Sequence, residues 1–65
     1  MSAADIEQAV ARGGPVDGTV LGSGDAEAYE VRMADRTRWE YRATSDHEQL
    51  PDGSLARVYV VAGRV

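Results

Sequence analysis

The single histidine of this 65-residue chain, His47, stands between two carboxylates, Asp46 and Glu48. A histidine beside carboxylates is a combination that proton transfer or a metal ion uses. Three consecutive polar residues in a loop point in different directions, however, and a metal site needs further ligands at helical or hairpin spacing. The pattern therefore favours a solvated loop, and we expect no metal and no other cofactor.

Other catalytic patterns find no better support in the residues. The chain contains no cysteine, all seven of its basic residues are arginine, and no serine has a recognisable base as a partner. The glycines of 22–24 are followed neither by a helix nor by the Lys-Ser/Thr pair of a phosphate-binding loop, so this stretch is read as a hairpin turn. The carboxylates scatter along turns and strand faces. The sequence predicts that the protein is not an enzyme.

A row of arginines is the best candidate surface. Residues 28–44 alternate between apolar and polar positions, which predicts a β-hairpin with one buried and one wet face. The wet face carries Arg32, Arg36, Arg38 and Arg42. Since arginine holds phosphates and aromatic rings stack on bases, one interpretation is a small OB-like or SH3-like protein that binds nucleic acid.

Two observations make nucleic acid the alternative rather than the favoured partner. Alternation puts Trp39 and Tyr41 on the face opposite the arginines, and the net charge of −4 opposes general affinity for phosphates. Glu30 and Glu40 lie on the arginine face and can neutralise two of its charges. The simpler interpretation of this face is a solvated surface.

Charge pairing also predicts how the hairpin arms align. Placing Glu30 opposite Arg42 and Arg32 opposite Glu40 joins unlike charges, whereas a shift by two residues would place like charges face to face. This register leaves residues 35–37 at the tip.

The last strand, residues 55–62, is apolar on both sides and is expected to need a cover on each. One side can face the core, and the other then needs a helix or a second chain. The strand also looks like a sheet edge with unpaired backbone groups. The candidate partner-binding residues are Val58, Tyr59, Val60 and Val61. The favoured function is thus a non-enzymatic interaction module or structural subunit that docks on a protein partner, self-associates or belongs to a larger assembly such as a virion.

The elements that position these residues form one domain over residues 1–65. A capping pattern at its start and Gly13-Gly14-Pro15 after it predict a helix over 2–12. Strands are predicted at about 16–21, 28–34, 37–44 and 55–62, with a polar loop over 45–54. The expected fold class is mainly β with one N-terminal helix (α+β), as a four-stranded antiparallel sheet or an SH3-like or OB-like barrel.

Composition adds the setting. The chain contains eleven acidic and seven basic residues. The absence of lysine is typical of coding in a GC-rich bacterium or phage. The N-terminus shows no signal peptide, and no apolar run approaches the roughly 20 residues of a membrane span. The expected location is the cytoplasm or a particle assembled there, without a membrane partner.

Overall fold

A computed structural model describes residues 7–65, which form five strands in a nearly closed, barrel-like sheet. The strands are β1 (Gln8–Arg12), β2 (Val20–Ser23), β3 (Ala28–Arg32), β4 (Arg38–Gln49) and β5 (Leu55–Arg64). Their order in the sheet is β2-β1-β5-β4-β3. All neighbouring pairs are antiparallel except β1 and β5, which run parallel. No helix in residues 7–65 has the length and apolar character to cross a membrane.

The predicted helix over 2–12 is wrong where the structure tests it, and with it the α+β class. Residues 8–12 form β1, whereas residues 2–6 lie outside the described part of the chain. Lying between β2 and β5, β1 buries Ala9, Val10 and Ala11 completely. A strand buried on both faces reads as a short apolar run, which periodicity cannot separate from a helix. The expected four strands are therefore five, while the barrel itself is confirmed.

The interior of the barrel is built on two tyrosines and two alanines. Ala9, Ala11, Tyr41 and Tyr59 are fully buried and form one cluster. The ring of Tyr29 meets that of Tyr59 edge to face, with centroids 5.4 Å apart and planes at 62°. Partly buried side chains complete the packing: Val16, Leu21, Tyr29, Val31, Trp39, Ala43 and Val61. The hairpin face that the sequence assigned to the core is confirmed.

The predicted register of the β3–β4 hairpin is wrong by two residues. Glu30 lies opposite Glu40, and Arg32 lies opposite Arg38. Like charges therefore face one another, whereas pairwise charge matching favoured the register that joins unlike charges.

The loop between the strands explains this register. The Arg36 amide donates to the Met33 carbonyl (3.0 Å), and the Met33 amide donates to the Thr37 carbonyl (2.8 Å). Arg36 is the one residue other than glycine with a left-handed backbone in the described chain, at φ 72°. A three-residue loop of this kind, a turn followed by a left-handed residue, is a standard hairpin connection. Asp35 supports it by accepting hydrogen bonds from the amide (3.1 Å) and hydroxyl (2.6 Å) of Thr37.

The fourth strand runs through residues 45–49, the first half of the region that the sequence assigned to the loop over 45–54. An irregularity in its pairing with β5 lies between Ala43 and His47. Within it the Thr44 hydroxyl donates to the Val58 carbonyl (2.7 Å) and accepts from the Asp46 amide (3.1 Å). A strand of polar residues with a bulge lacks clean alternation, so it resembles a loop in sequence.

Candidate functional site

Three of the four arginines predicted to form a basic face line one open cleft. Arg32 ends β3, Arg38 begins β4 and Arg36 lies in the loop between them. Together with Met33 these side chains surround a space of about 360 Å³, which we call the arginine cleft. Arg42 does not contribute, because it lies opposite Ala28 at the other end of the hairpin.

The residues that line the arginine cleft are three arginines and a methionine, without a carboxylate among them. Glu30 approaches Arg38 diagonally across the ladder, with 3.3 Å between Oε2 and Nη1. Glu40 turns instead to Arg42 on its own strand, at 2.6 Å. Among the described residues, Arg32 and Arg36 take part in no ion pair. One of the three guanidinium groups, that of Arg38, therefore has a carboxylate within ion-pair distance.

The aromatic residues of the hairpin lie on the other side of the sheet. Tyr41 is fully buried, and its hydroxyl donates to the Gly13 carbonyl (2.7 Å) and accepts from the Val16 amide (3.3 Å). Trp39 is partly buried against the core. Trp39 also lines a separate open pocket with Arg64, whereas no aromatic ring lines the arginine cleft.

The four partner-binding candidates of the last strand divide between two faces. Tyr59 is buried in the core and Val61 packs against it. Val58 is half-buried, and Val60 is 42% exposed. Since β5 lies between β1 and β4, its backbone is not the sheet edge that the sequence suggested. A role of these residues in partner binding stays a prediction.

The third strand is one of the two edge strands of the sheet, with β2 as the other, and the sequence analysis did not identify it as an edge. The Ala43 amide donates to the Glu27 carbonyl (2.9 Å), and Met33 bonds Thr37 in the same way at the other end. Hydrogen-bonded pairs alternate along an antiparallel ladder, so the odd-numbered residues of β3 bond to β4. The backbone groups of Ala28, Glu30 and Arg32 consequently point away from β4. Alternating charges, Glu30 and Arg32, were the available signal, since charged side chains are typical of edge strands.

Side chains hold the first part of this edge close to β2. The Tyr29 hydroxyl donates to the Ser23 carbonyl at 2.5 Å, and the Tyr59 hydroxyl donates to the Ala26 carbonyl. Burial raises the pKa of Tyr59, which keeps this hydroxyl protonated as a donor. Within residues 7–65, no ladder joins β2 to β3. The barrel therefore has a seam between these strands.

His47 lies at the acidic end of the sheet rather than in a loop. Its Nε2 is 3.0 Å from a carboxylate oxygen of Glu7. Nearby, the Arg12 Nε donates to Glu48 at 2.7 Å, and this hydrogen bond lowers the pKa of Glu48. No group of three or more potential metal-ligating side chains occurs in the part of the chain from Glu7 onward.

Comparison of the chain with protein-family models, curated proteins and solved structures gives no match. Function is therefore inferred from the geometry of the seam and of the arginine cleft.

Proposed function

We propose that this protein is a non-enzymatic interaction module that takes up an extended segment of a protein partner along the free edge of β3. The outward backbone groups of Ala28, Glu30 and Arg32 support this proposal more than any other observation. An extended segment that adds to a sheet edge gains main-chain hydrogen bonds, and the side chains of alternate residues give specificity.

The edge of β3 has few features that would prevent another strand from pairing with it. An uncovered strand normally carries a proline, a bulge or another protective feature. In β3 no proline occurs, and the pairing irregularities of the sheet lie in the β1–β2 and β4–β5 ladders. Apart from the contact of Tyr29 with Ser23 near its start, the charges of Glu30 and Arg32 protect it, and they have opposite signs. A partner strand with complementary charges would face no net repulsion there.

Exposed apolar side chains lie elsewhere on the outer surface. Val20 is 45% exposed and Val60 is 42% exposed. As part of the same proposal, a partner bound along β3 or a second copy of the chain covers some of this surface. Nucleic acid, the alternative partner, is less favoured. Trp39 and Tyr41 lie apart from the arginines, so base stacking and phosphate binding would not occur on one surface.

The proposal is tested by selecting binders from a phage library of random ten-residue peptides against the immobilised 65-residue chain. Enriched peptides are then titrated into the ¹⁵N-labelled protein and followed by NMR. The decisive variant is Glu30→Pro, which removes an outward amide without touching the ladder to β4. Glu30→Thr is the matched control, because it removes the same carboxylate and keeps the amide.

We expect enriched peptides to shift the amide signals of Ala28, Glu30 and Arg32 and to bind Glu30→Pro at least about tenfold more weakly than Glu30→Thr. Peptides that bind Glu30→Pro and Glu30→Thr equally, or a selection that enriches none, would overturn the edge proposal. Circular dichroism of both variants establishes that the sheet is intact.

A further inference from the structure

We propose that the arginine cleft binds carboxylate side chains of the same partner segment, so that the segment taken up along β3 is acidic where it passes Arg32. This inference rests on the proposed function, since it names the chemistry of the partner at that edge.

The arginine cleft lies directly beyond the free edge. Arg32 is the last residue of β3 and its backbone groups point outward, so a strand added to β3 continues past the hairpin tip. Arg36 and Arg38 follow within six positions and line the same space. Residues two apart on an extended segment lie on one face, roughly 7 Å apart. One carboxylate opposite Arg32 and a second one two positions further would therefore both enter the arginine cleft.

The residue of the partner segment that lies opposite Glu30 should be basic. Glu30 and Arg32 share the outer face of β3, so the added strand would face an acidic position first and a basic one next. The favoured pattern on one face of the segment is thus one basic residue followed, at alternate positions, by two acidic residues.

Two features of the arginine cleft lower the stability of the folded chain when no ligand is bound. Arg32 and Arg38 are directly opposed in the ladder, an arrangement of like charges that destabilises a sheet. Arg36 occupies a left-handed position at φ 72°, which glycine or asparagine fills more readily. Strained or repulsive residues that gather in one cleft are typical of functional sites. A bound anion would relieve the repulsion.

Carboxylates fit the site better than a nucleic-acid backbone. Guanidinium groups bind carboxylate and phosphate alike through paired hydrogen bonds. A single-stranded nucleic acid would also need stacking surfaces, and here Tyr41 is buried while Trp39 lines a different pocket, with Arg64. The free edge of β3 offers main-chain hydrogen bonds, which suit a peptide.

The test uses defined heptapeptides and the full chain. Thr-Lys-Thr-Glu-Thr-Glu-Thr and the same sequence in reverse order present the favoured charge pattern in both strand directions. The control peptide exchanges every Lys and Glu. Each is titrated by NMR at low salt and at 0.15 M salt, alongside inorganic phosphate and an eight-nucleotide single-stranded DNA.

We expect at least one acidic peptide to bind at least about tenfold more tightly than the charge-exchanged control, and the side-chain Nε signals of Arg32 and Arg36 to shift. Arg36→Gly is the most informative variant: it removes the charge and relieves the backbone, so it should raise the Tm while weakening the acidic peptide. Arg42→Gln, outside the arginine cleft on the same strand face, should leave binding unchanged.

Equal binding of both peptide types, an unchanged affinity in Arg36→Gly, or tighter binding of the DNA than of the acidic peptides would overturn the acidic-segment inference. The outcome separates the two proposals. If library peptides use the β3 edge but acidity brings no advantage, the edge stands and this inference fails. If acidic peptides bind Glu30→Pro as well as Glu30→Thr, the edge proposal fails.

Discussion

The two faces of the β3–β4 hairpin are organised by opposite rules. On the inner face, Tyr41 is fully buried and its hydroxyl both donates and accepts a hydrogen bond. On the outer face, Arg32 opposes Arg38, and Arg36 occupies a left-handed position with no counter-ion among the described residues. The inner face of the hairpin therefore stabilises the fold, whereas the outer face carries residues that lower its stability. The difference locates the surface where a ligand can contribute most.

On the inner face, the backbone beside the Tyr41 hydroxyl should not tolerate an added side-chain atom. A Cβ on Gly14 would lie 2.5 Å from the Tyr41 hydroxyl oxygen and 3.0 Å from a methyl of Val61, in a left-handed backbone (φ 70°). We expect Gly14→Ala to lower the free energy of unfolding by about 2–4 kcal/mol, the sum of backbone strain and overpacking. Urea denaturation measures it. Gly53→Ala is the control: it is also left-handed but has open space around it, so a loss as large as that of Gly14→Ala would show that packing is not the cause.

The hydroxyl of Tyr59 gives the inner face a measurable pH dependence. Burial raises the pKa of Tyr59 above its ordinary value of about 10, so the unfolded chain loses this proton first. Its contribution is complete below about pH 10 and is lost as the pH rises through the higher pKa of the folded state. Tyr59→Phe should cost about 1–3 kcal/mol at pH 7, because the Ala26 carbonyl loses its donor. The variant should also lose less stability than wild type above pH 10; parallel alkaline curves would contradict this.

The outer face should become more stable when it loses a residue that the fold does not favour. Arg36→Gly places glycine at φ 72°, and we expect the free energy of unfolding to rise by about 1 kcal/mol. Thermal and urea unfolding at 0.15 M salt measure this gain. A destabilised variant would mean that the Arg36 side chain supports the loop, and the contrast between the faces would then disappear at the tip.

The smallest expected effect concerns the opposed arginines. Arg32→Thr removes one of two like charges and places a residue of high strand propensity opposite Arg38. Stability should increase by about 0.2–1 kcal/mol at low salt. In 1 M salt, where the screening length is about 3 Å, the charge contribution should vanish. A gain that does not change with salt would come from strand propensity rather than from relieved repulsion.

The sequence predicted the faces of this hairpin but not its register. Alternation is a local property, and it placed Trp39 and Tyr41 on the face opposite the arginines, where the structure has them against the core. Register depends on the loop, and a left-handed arginine cannot be read from a turn that lacks glycine. Charge matching then favoured the wrong alignment, because it took no account of the diagonal contact between Arg38 and Glu30.

The position of the last strand in the sheet could not be predicted from its local sequence either, for a different reason. Its apolar character on both sides predicted a helix or a second chain as cover, yet Leu55 is 52% and Val60 42% exposed. Beside β5 in the sheet lie β1 and β4, which make it a central strand. That arrangement depends on the parallel pairing of Gln8 with Ala56, distant in sequence. The edge strands are β2 and β3 instead, and in β3 the sequence showed only alternating charges.

The parallel pairing of β1 with β5 also sets the order in which the chain can fold. During synthesis, β1 leaves the ribosome long before its neighbour β5, so Ala9, Val10 and Ala11 have only β2 beside them until nearly all of the described chain has emerged. Closing so long a loop costs entropy before any contact repays it, and such topologies fold slowly for their size. Until β5 arrives, one side of this short apolar strand lacks its neighbour.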